Sequence, residues 1–253
     1  MPGNRAPSCR YRCLVPLVAA AVCPHPPLIV PELAGAAAPE LDALRAACDA
    51  AVAGLLAARP EVVVLVGGGP ETTLFNAADH GSLRQYGLDR QVRLWKVNCA
   101  GGERLPLSLT VGAWLLGRSR TELPRLARSV AADASPAECA ELGAALGAAP
   151  EPRTALLVTG DGSACRGPKS PGYDDPRAEA YDDGVARALA DADTGALLDL
   201  DPVRSAELRV AGRAPWQVLA GAVRAAGGDW RGELRHHSAP YGVAYFVASW
   251  APA

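Results

Sequence analysis

The sequence predicts an α/β fold: a single domain whose central sheet, mainly parallel or mixed, is flanked by helices. Three observations carry that expectation. Short apolar runs of strand length recur along the 253 residues, helical patterns separate them, and no linker long enough to divide the chain interrupts them. A composition of 49% hydrophobic and 21% charged residues is that of a globular chain. Residues 13–253 therefore read as one domain, and residues 1–12 as a flexible N-terminal extension.

Residues 14–22 read as a buried first strand ending in Cys23-Pro24-His25-Pro26-Pro27. Three prolines around one histidine exclude helix and stiffen an extended loop. Residues 39–58 read as a helix that buries Leu41, Leu44, Cys48, Val52 and Leu55, with Pro39 at its start and Pro60 past its end. Residues 62–66 form a continuous apolar run, as expected of a central strand covered on both faces, and lead into Gly67-Gly68-Gly69. Residues 92–97 read as a strand, whereas 107–116 are apolar without a decisive period. Ser135-Pro136-Ala137-Glu138 is a capping box opening a helix to residue 148. Residues 155–158 read as another buried strand, and 160–173 as a loop rich in Gly, Pro and Ser. Asp174 or Asp175 then caps a helix with Pro176 at its start and Tyr181, Val185 and Leu189 along one face. A helix over 215–226 and a strand over 243–248 close the chain.

Charge and cysteine usage exclude several classes of function. With 25 basic and 27 acidic residues the formal charge is −2, which offers no basic surface to nucleic acid or an anionic membrane. No apolar run reaches about 18 residues, so no transmembrane helix is expected. Arg5, Arg10 and Arg12 before an apolar run and Cys23 imitate a lipoprotein signal, but Pro16 interrupts the run and Val22 stands where a small residue belongs. A buried strand explains the same residues, and a cytoplasmic location is expected. The seven cysteines are odd in number and scattered, and no second close pair joins Cys9 and Cys13 to complete a zinc site. They read as reduced thiols.

Ligands of open α/β sheets collect beyond the carboxyl ends of the strands. Three strands end in unusual loops, at 24–27, 67–70 and 160–163. If these lie side by side, His25, Gly68, Gly69, Asp161 and Ser163 converge. A neutral imidazole at His25 suits a metal, or else its ring bonds a backbone carbonyl and does nothing more. The three glycines form an anion-binding nest or a plain tight turn; they lack the Lys-Ser/Thr ending of a P-loop and the spacing of a dinucleotide fingerprint. Asp161 is a metal ligand, a base, or a cap for the loop it opens. Ser163, or Cys165 beside Arg166, is a candidate nucleophile for a hydrolase or transferase, with no base adjacent in sequence. His80, His236 and His237 read as solvated loop residues.

The segment from Ala19 through Cys23-Pro24-His25-Pro26-Pro27 to Leu33 resembles the opening of the class III extradiol ring-cleavage dioxygenases of the LigB type and their Memo relatives. Residues 62–70, Gly160-Asp161-Gly162-Ser163, Gly172-Tyr173-Asp174 and Ala239-Pro240-Tyr241-Gly242-Val243-Ala244-Tyr245 are similar to the same superfamily in the same order. The resemblance implies a central sheet flanked by helices, and an aromatic diol opened at Fe(II) held by two histidines and a carboxylate, with a further histidine as acid/base. His25 occupies the first ligand position. Gly68 and Gly69 stand where the second histidine follows the second strand, and Ala164 replaces the acid/base histidine. No secure counterpart of the late carboxylate exists; Glu207 and Glu233 are the nearest acids. Gly68, Gly69 and Tyr173 are expected to line the pocket.

Two readings follow. One is a divergent oxidoreductase of aromatic-compound metabolism using Fe(II) or another divalent metal, with His25 as ligand, Asp161 as ligand or base, and His236 or His237 replacing a missing ligand. The other is a non-catalytic binding or scaffold protein on the same fold, taking a small aromatic ligand or a protein partner. Family members pair with other subunits, which makes a homodimer the expected assembly.

Overall fold

Runs of Val, Leu and Ala with no charge inside them can lie only where both faces of a strand are covered, and three such runs occupy the middle of the sheet. The structure, a computed structural model, describes residues 17–95, 102–119, 121–148 and 152–253. The elements run β1 (Leu17–Cys23), α1 (Pro31–Ala34), α2 (Asp42–Ala57), β2 (Val62–Gly69), β3 (Thr73–Phe75), β4 (His80–Ser82), β5 (Gln91–Arg93), α3 (Leu107–Arg118), β6 (Arg125–Ala131), α4 (Pro136–Gly147), β7 (Thr154–Thr159), α5 (Arg177–Asp191), α6 (Thr194–Leu198), α7 (Pro202–Glu207), α8 (Arg213–Ala226), β8 (Trp230–Ser238) and β9 (Tyr245–Pro252). Seven strands form one sheet in the order β3-β6-β2-β7-β1-β9-β8. β6, β2, β7 and β1 are parallel, while β3, β9 and β8 run antiparallel to their neighbours. This is the expected single α/β domain with a mixed sheet flanked by helices.

Alternation along each strand divides the core into two layers. Ala21, Leu65, Leu157 and Val247 face Leu44, Cys48, Val52 and Leu55 of α2 and Leu109 and Leu115 of α3. Val64, Val66, Leu156 and Val158 face Val185 and Leu189 of α5 and Trp216 and Leu219 of α8. On that second side α4 and α8 touch at the backbone: a Cβ on Gly143 would meet the Val218 carbonyl at 2.1 Å, so no larger residue fits.

Several elements differ from expectation for identifiable reasons. The helix expected over 39–58 begins as a 3-10 segment, Gly35–Leu41, that holds Pro39 inside it, and the α-helix starts at Asp42. Residues 107–116 are helix, entered from Pro106 in extended conformation. The strand expected over 92–97 is β5, three residues paired with β4 in a separate two-stranded sheet, and Lys96 and Val97 lie outside the described residues. So does the expected extension, residues 1–12, together with Cys9, Cys13 and Cys99. The capping box forms as read: Ser135 accepts the Glu138 N–H at 3.2 Å and the Glu138 carboxylate accepts the Ser135 N–H at 2.7 Å. Asp175 accepts the N–H of Arg177 at 2.9 Å at the start of α5, whereas Asp174 bonds Gly167 in the preceding loop. Among the described residues no helix is long and apolar enough to cross a membrane.

Candidate functional site

Strand register brings the sequence-selected loops to one edge. Cys23 of β1 and Gly67 of β2 both pair with Thr159 of β7, and Gly67 also pairs with Ser129 of β6, so these four residues form a single row. Two residues further along each chain stand His25, Asp161, Gly69 and Ala131. The three loops thus leave neighbouring strands at the same end of the sheet.

His25 and Asp161 are joined. The backbone N–H of His25 donates to Asp161 Oδ1 at 2.7 Å, and the ring Nδ1 lies 3.5 Å from the same oxygen. Proline explains the rigidity of this corner. Beyond Pro26 and Pro27 the chain turns through a bond from Ile29 N–H to the Pro26 carbonyl, and Ile29 and Val30 are fully buried beneath it. The Gly160 N–H bonds the Cys23 carbonyl at 3.0 Å, strapping the β7 loop to the β1 loop. Burial pushes the Asp161 carboxyl above its ordinary value, against the opposing pull of the neighbouring His25. Tyr245, at the start of β9, is pushed well above the usual phenol range by burial and by the charges of Asp161 and Tyr241. Its ring is 3% exposed, and among the described residues its hydroxyl has no hydrogen-bond partner. His25 Nδ1 is likewise buried without a hydrogen bond. The sequence marks Tyr245 as part of a closing strand and of a segment similar to the superfamily, without a site role; its position next to β1 at this edge is the signal that singles it out.

The three glycines are neither nest nor turn. They continue β2, with Gly69 still paired to Ala131. Side chains are excluded there: a Cβ on Gly67 would stand 2.6 Å from both Ser108 Oγ and Thr159 Oγ1, and one on Gly69 2.7 Å from Ser129 Cβ. Ser108 Oγ–H donates to the Gly68 carbonyl at 2.5 Å, fastening α3 to the strand end. Gly68 and Gly69 lie at the expected edge as backbone surface only.

Two expected site residues are corrected. Ser163 is fully buried, donating its hydroxyl to Asp182 Oδ2 at 2.6 Å and its N–H to Asp182 Oδ1 at 2.9 Å. Asp182 belongs to α5 and is also held by Arg166 at 3.4 Å. Ser163 therefore locks its loop to a helix and has neither the access nor the free base a nucleophile needs. Tyr173 is 91% exposed, so its side chain stands in solvent and not within the His25–Asp161 corner. Cys165 is buried with Sγ 3.5 Å from the Leu208 carbonyl, and burial pushes its thiol up, the reverse of activation.

The histidines and acids considered as replacements stand elsewhere. His236 shares a hydrogen bond with Ser238 Oγ at 2.7 Å, and His237 stacks on Phe246 with centroids 4.7 Å apart. Both belong to β8, separated from β1 by β9, and are strand residues, not loop residues. His80 sits in β4. Glu207 pairs with Arg177 and Glu233 with Arg235. Among the described residues no group of three or more His, Cys, Asp or Glu side chains could hold a metal ion. A centre of two histidines and a carboxylate does not fit the donors present: His25 and Asp161 supply two, and Gly68 and Gly69, at the place of the second histidine, supply none.

No family model matches the chain, and no curated protein matches it. Its fold is similar to that of an uncharacterised protein, JW3007, from Escherichia coli K12, with a TM-score of 0.61 over 92% of this chain and 99% of that one. The two are 13% identical, so the likeness shows the fold alone.

Proposed function

We propose that this chain is a divergent extradiol-dioxygenase-like protein that works as a metal-independent binding protein, taking a small hydroxyl-bearing aromatic ligand at the His25–Asp161 corner. One observation carries the reading: His25, Asp161 and Tyr245 come together where β1, β7 and β9 meet at this edge, with glycine and alanine at the positions where ring cleavage requires two further histidines. That set suits hydrogen bonding better than coordination. Among the described residues the imidazole Nδ1 and the phenol of Tyr245 make no hydrogen bond, and the Asp161 carboxylate can accept from a ligand hydroxyl.

Metal analysis of protein purified without oxygen, on the wild type and His25→Ala, tests it together with calorimetric titration of catechol. The expected result is metal well below one ion per chain, equal in both proteins, with catechol bound by the wild type and no oxygen consumed. One iron per chain that disappears in His25→Ala, with oxygen uptake on adding catechol, would overturn it. A single feature favours the second reading, an Fe(II) oxidoreductase acting on an aromatic diol: a buried imidazole nitrogen with no hydrogen bond among the described residues costs stability unless something binds it. The same analysis separates the two.

A further inference from the structure

A recess opens at the same edge of the sheet, at the ends of β2 and β6 on the α3 side. Its volume is about 300 Å³, and Pro70, Glu71, Thr73, Phe75, Arg104 and Pro106 line it over Ser129. None of these is His25, Asp161 or Tyr245. Antiparallel pairing of β3 with β6, Thr73 opposite Ser129 and Phe75 opposite Ala127, points the Phe75 ring into the α3 layer, where it is 5% exposed.

Two opposite charges face this space without meeting. The Arg104 guanidinium lies over the Phe75 ring, 5.9 Å from its centroid, and among the described residues it makes no hydrogen bond or ion pair. Glu71 likewise has no partner for its carboxylate among them. Both backbones are pinned: the Arg104 N–H donates to the His80 carbonyl at 3.0 Å, and the Glu71 carbonyl accepts the Ser129 hydroxyl at 2.6 Å. Exposed ions without partners are ordinary on a protein surface. What sets this pair apart is a shared cavity of ligand size, with apolar walls of two prolines and a phenylalanine.

We infer that this cavity binds a free α-amino acid with an apolar side chain. The ligand carboxylate meets the planar fork of Arg104, which matches it in two parallel hydrogen bonds. The ammonium meets Glu71, and the side chain lies against Phe75 and Pro106. The ligand thus bridges two charges that have no ion-pair partner among the described residues, and each of its ends is read by a separate residue. The site shares no residue with the His25 corner and stands whether or not that corner takes a ligand.

The test is a calorimetric titration of the full chain with three probes: L-phenylalanine, 3-phenylpropionate (no ammonium) and phenethylamine (no carboxylate). L-Phenylalanine is expected to bind at least about tenfold more tightly than either truncated probe, the worth of one hydrogen-bonded charge. Arg104→Gln should bring L-phenylalanine down to the level of phenethylamine and leave phenethylamine unchanged. Glu71→Gln should bring it down to the level of 3-phenylpropionate. Both side chains are exposed, and a thermal melt of each variant confirms that it is folded. The inference is overturned if folded wild type takes up no L-phenylalanine at millimolar concentration, if the three probes bind equally, or if both variants bind L-phenylalanine as the wild type does.

Discussion

Two corners of one sheet edge are built in opposite ways. At the ends of β1 and β7 the chain is closed by polar contacts: Asp161 receives the His25 N–H, and Gly160 is bonded back to Cys23. At the ends of β2 and β6 it is closed by the lack of side chains, with Gly67 and Gly69 letting Ser108, Thr159 and Ser129 crowd the backbone. The first corner keeps titratable groups and uses them partly to hold loops together. The second keeps none on the strand itself and leaves a charged recess beside it. In an α/β protein the strand ends are where binding chemistry collects, and here polar groups stand at two such places: a hydrogen-bonded dyad, and a recess bordered by Glu71 and Arg104, which have no ion-pair partner among the described residues.

The contrast is broken most severely at the glycine corner. Gly67→Ala forces a methyl against two hydroxyl oxygens, and we expect a loss of about 3 kcal/mol in chemical denaturation, as for an overpacked core. A cost below about 0.5 kcal/mol would show that Ser108 and Thr159 move aside freely. The polar corner should yield less. Asp161→Ala strips the His25 N–H of its partner at a cost of about 1.5 kcal/mol, read by the same method. Ser108→Ala, which removes the hydroxyl donated to the Gly68 carbonyl, should cost about 1 kcal/mol and leave catechol binding intact, because it acts only on the glycine corner.

The smallest effect is a tilt with pH. Asp161 has its carboxyl raised above the ordinary 3.8, so the folded chain holds that proton more tightly than the unfolded chain does. Its contribution to stability is full below the unfolded value and is lost as pH rises through the raised one. Asp161→Asn removes this titration. Its melting temperature relative to wild type should therefore improve between about pH 4 and about pH 7; a difference that stays constant or falls would contradict the raised value.

Much of the scaffold is legible in the sequence because it rests on strong local signals. Val62 to Val66 and Ala155 to Val158 are uninterrupted apolar runs, and Ser135 with Glu138 is a cap whose two bonds both form. β6 and β8 are not legible because each carries arginines within the strand, Arg125 and Arg128 in one, Arg231 and Arg235 in the other. They lie toward the sheet margins, where charge is tolerated and the apolar pattern weakens. The site divides similarly. His25 and Asp161 can be brought together from the rule for strand ends, since β1 and β7 are neighbours. Ser163 cannot be placed that way, because the residue that engages it, Asp182, is 19 positions away on α5, and no local pattern announces that contact. Tyr173 falls in a polar loop whose direction only tertiary structure decides.

What the His25 corner can hold decides its chemistry. Anaerobic calorimetric titration of Fe(II) into the apo wild type and into His25→Ala measures this directly. Two protein donors should give no tight one-to-one uptake, and the two proteins should show the same weak heats. Tight stoichiometric binding in the wild type, absent in His25→Ala, would contradict the metal-independent reading and return the corner to iron chemistry.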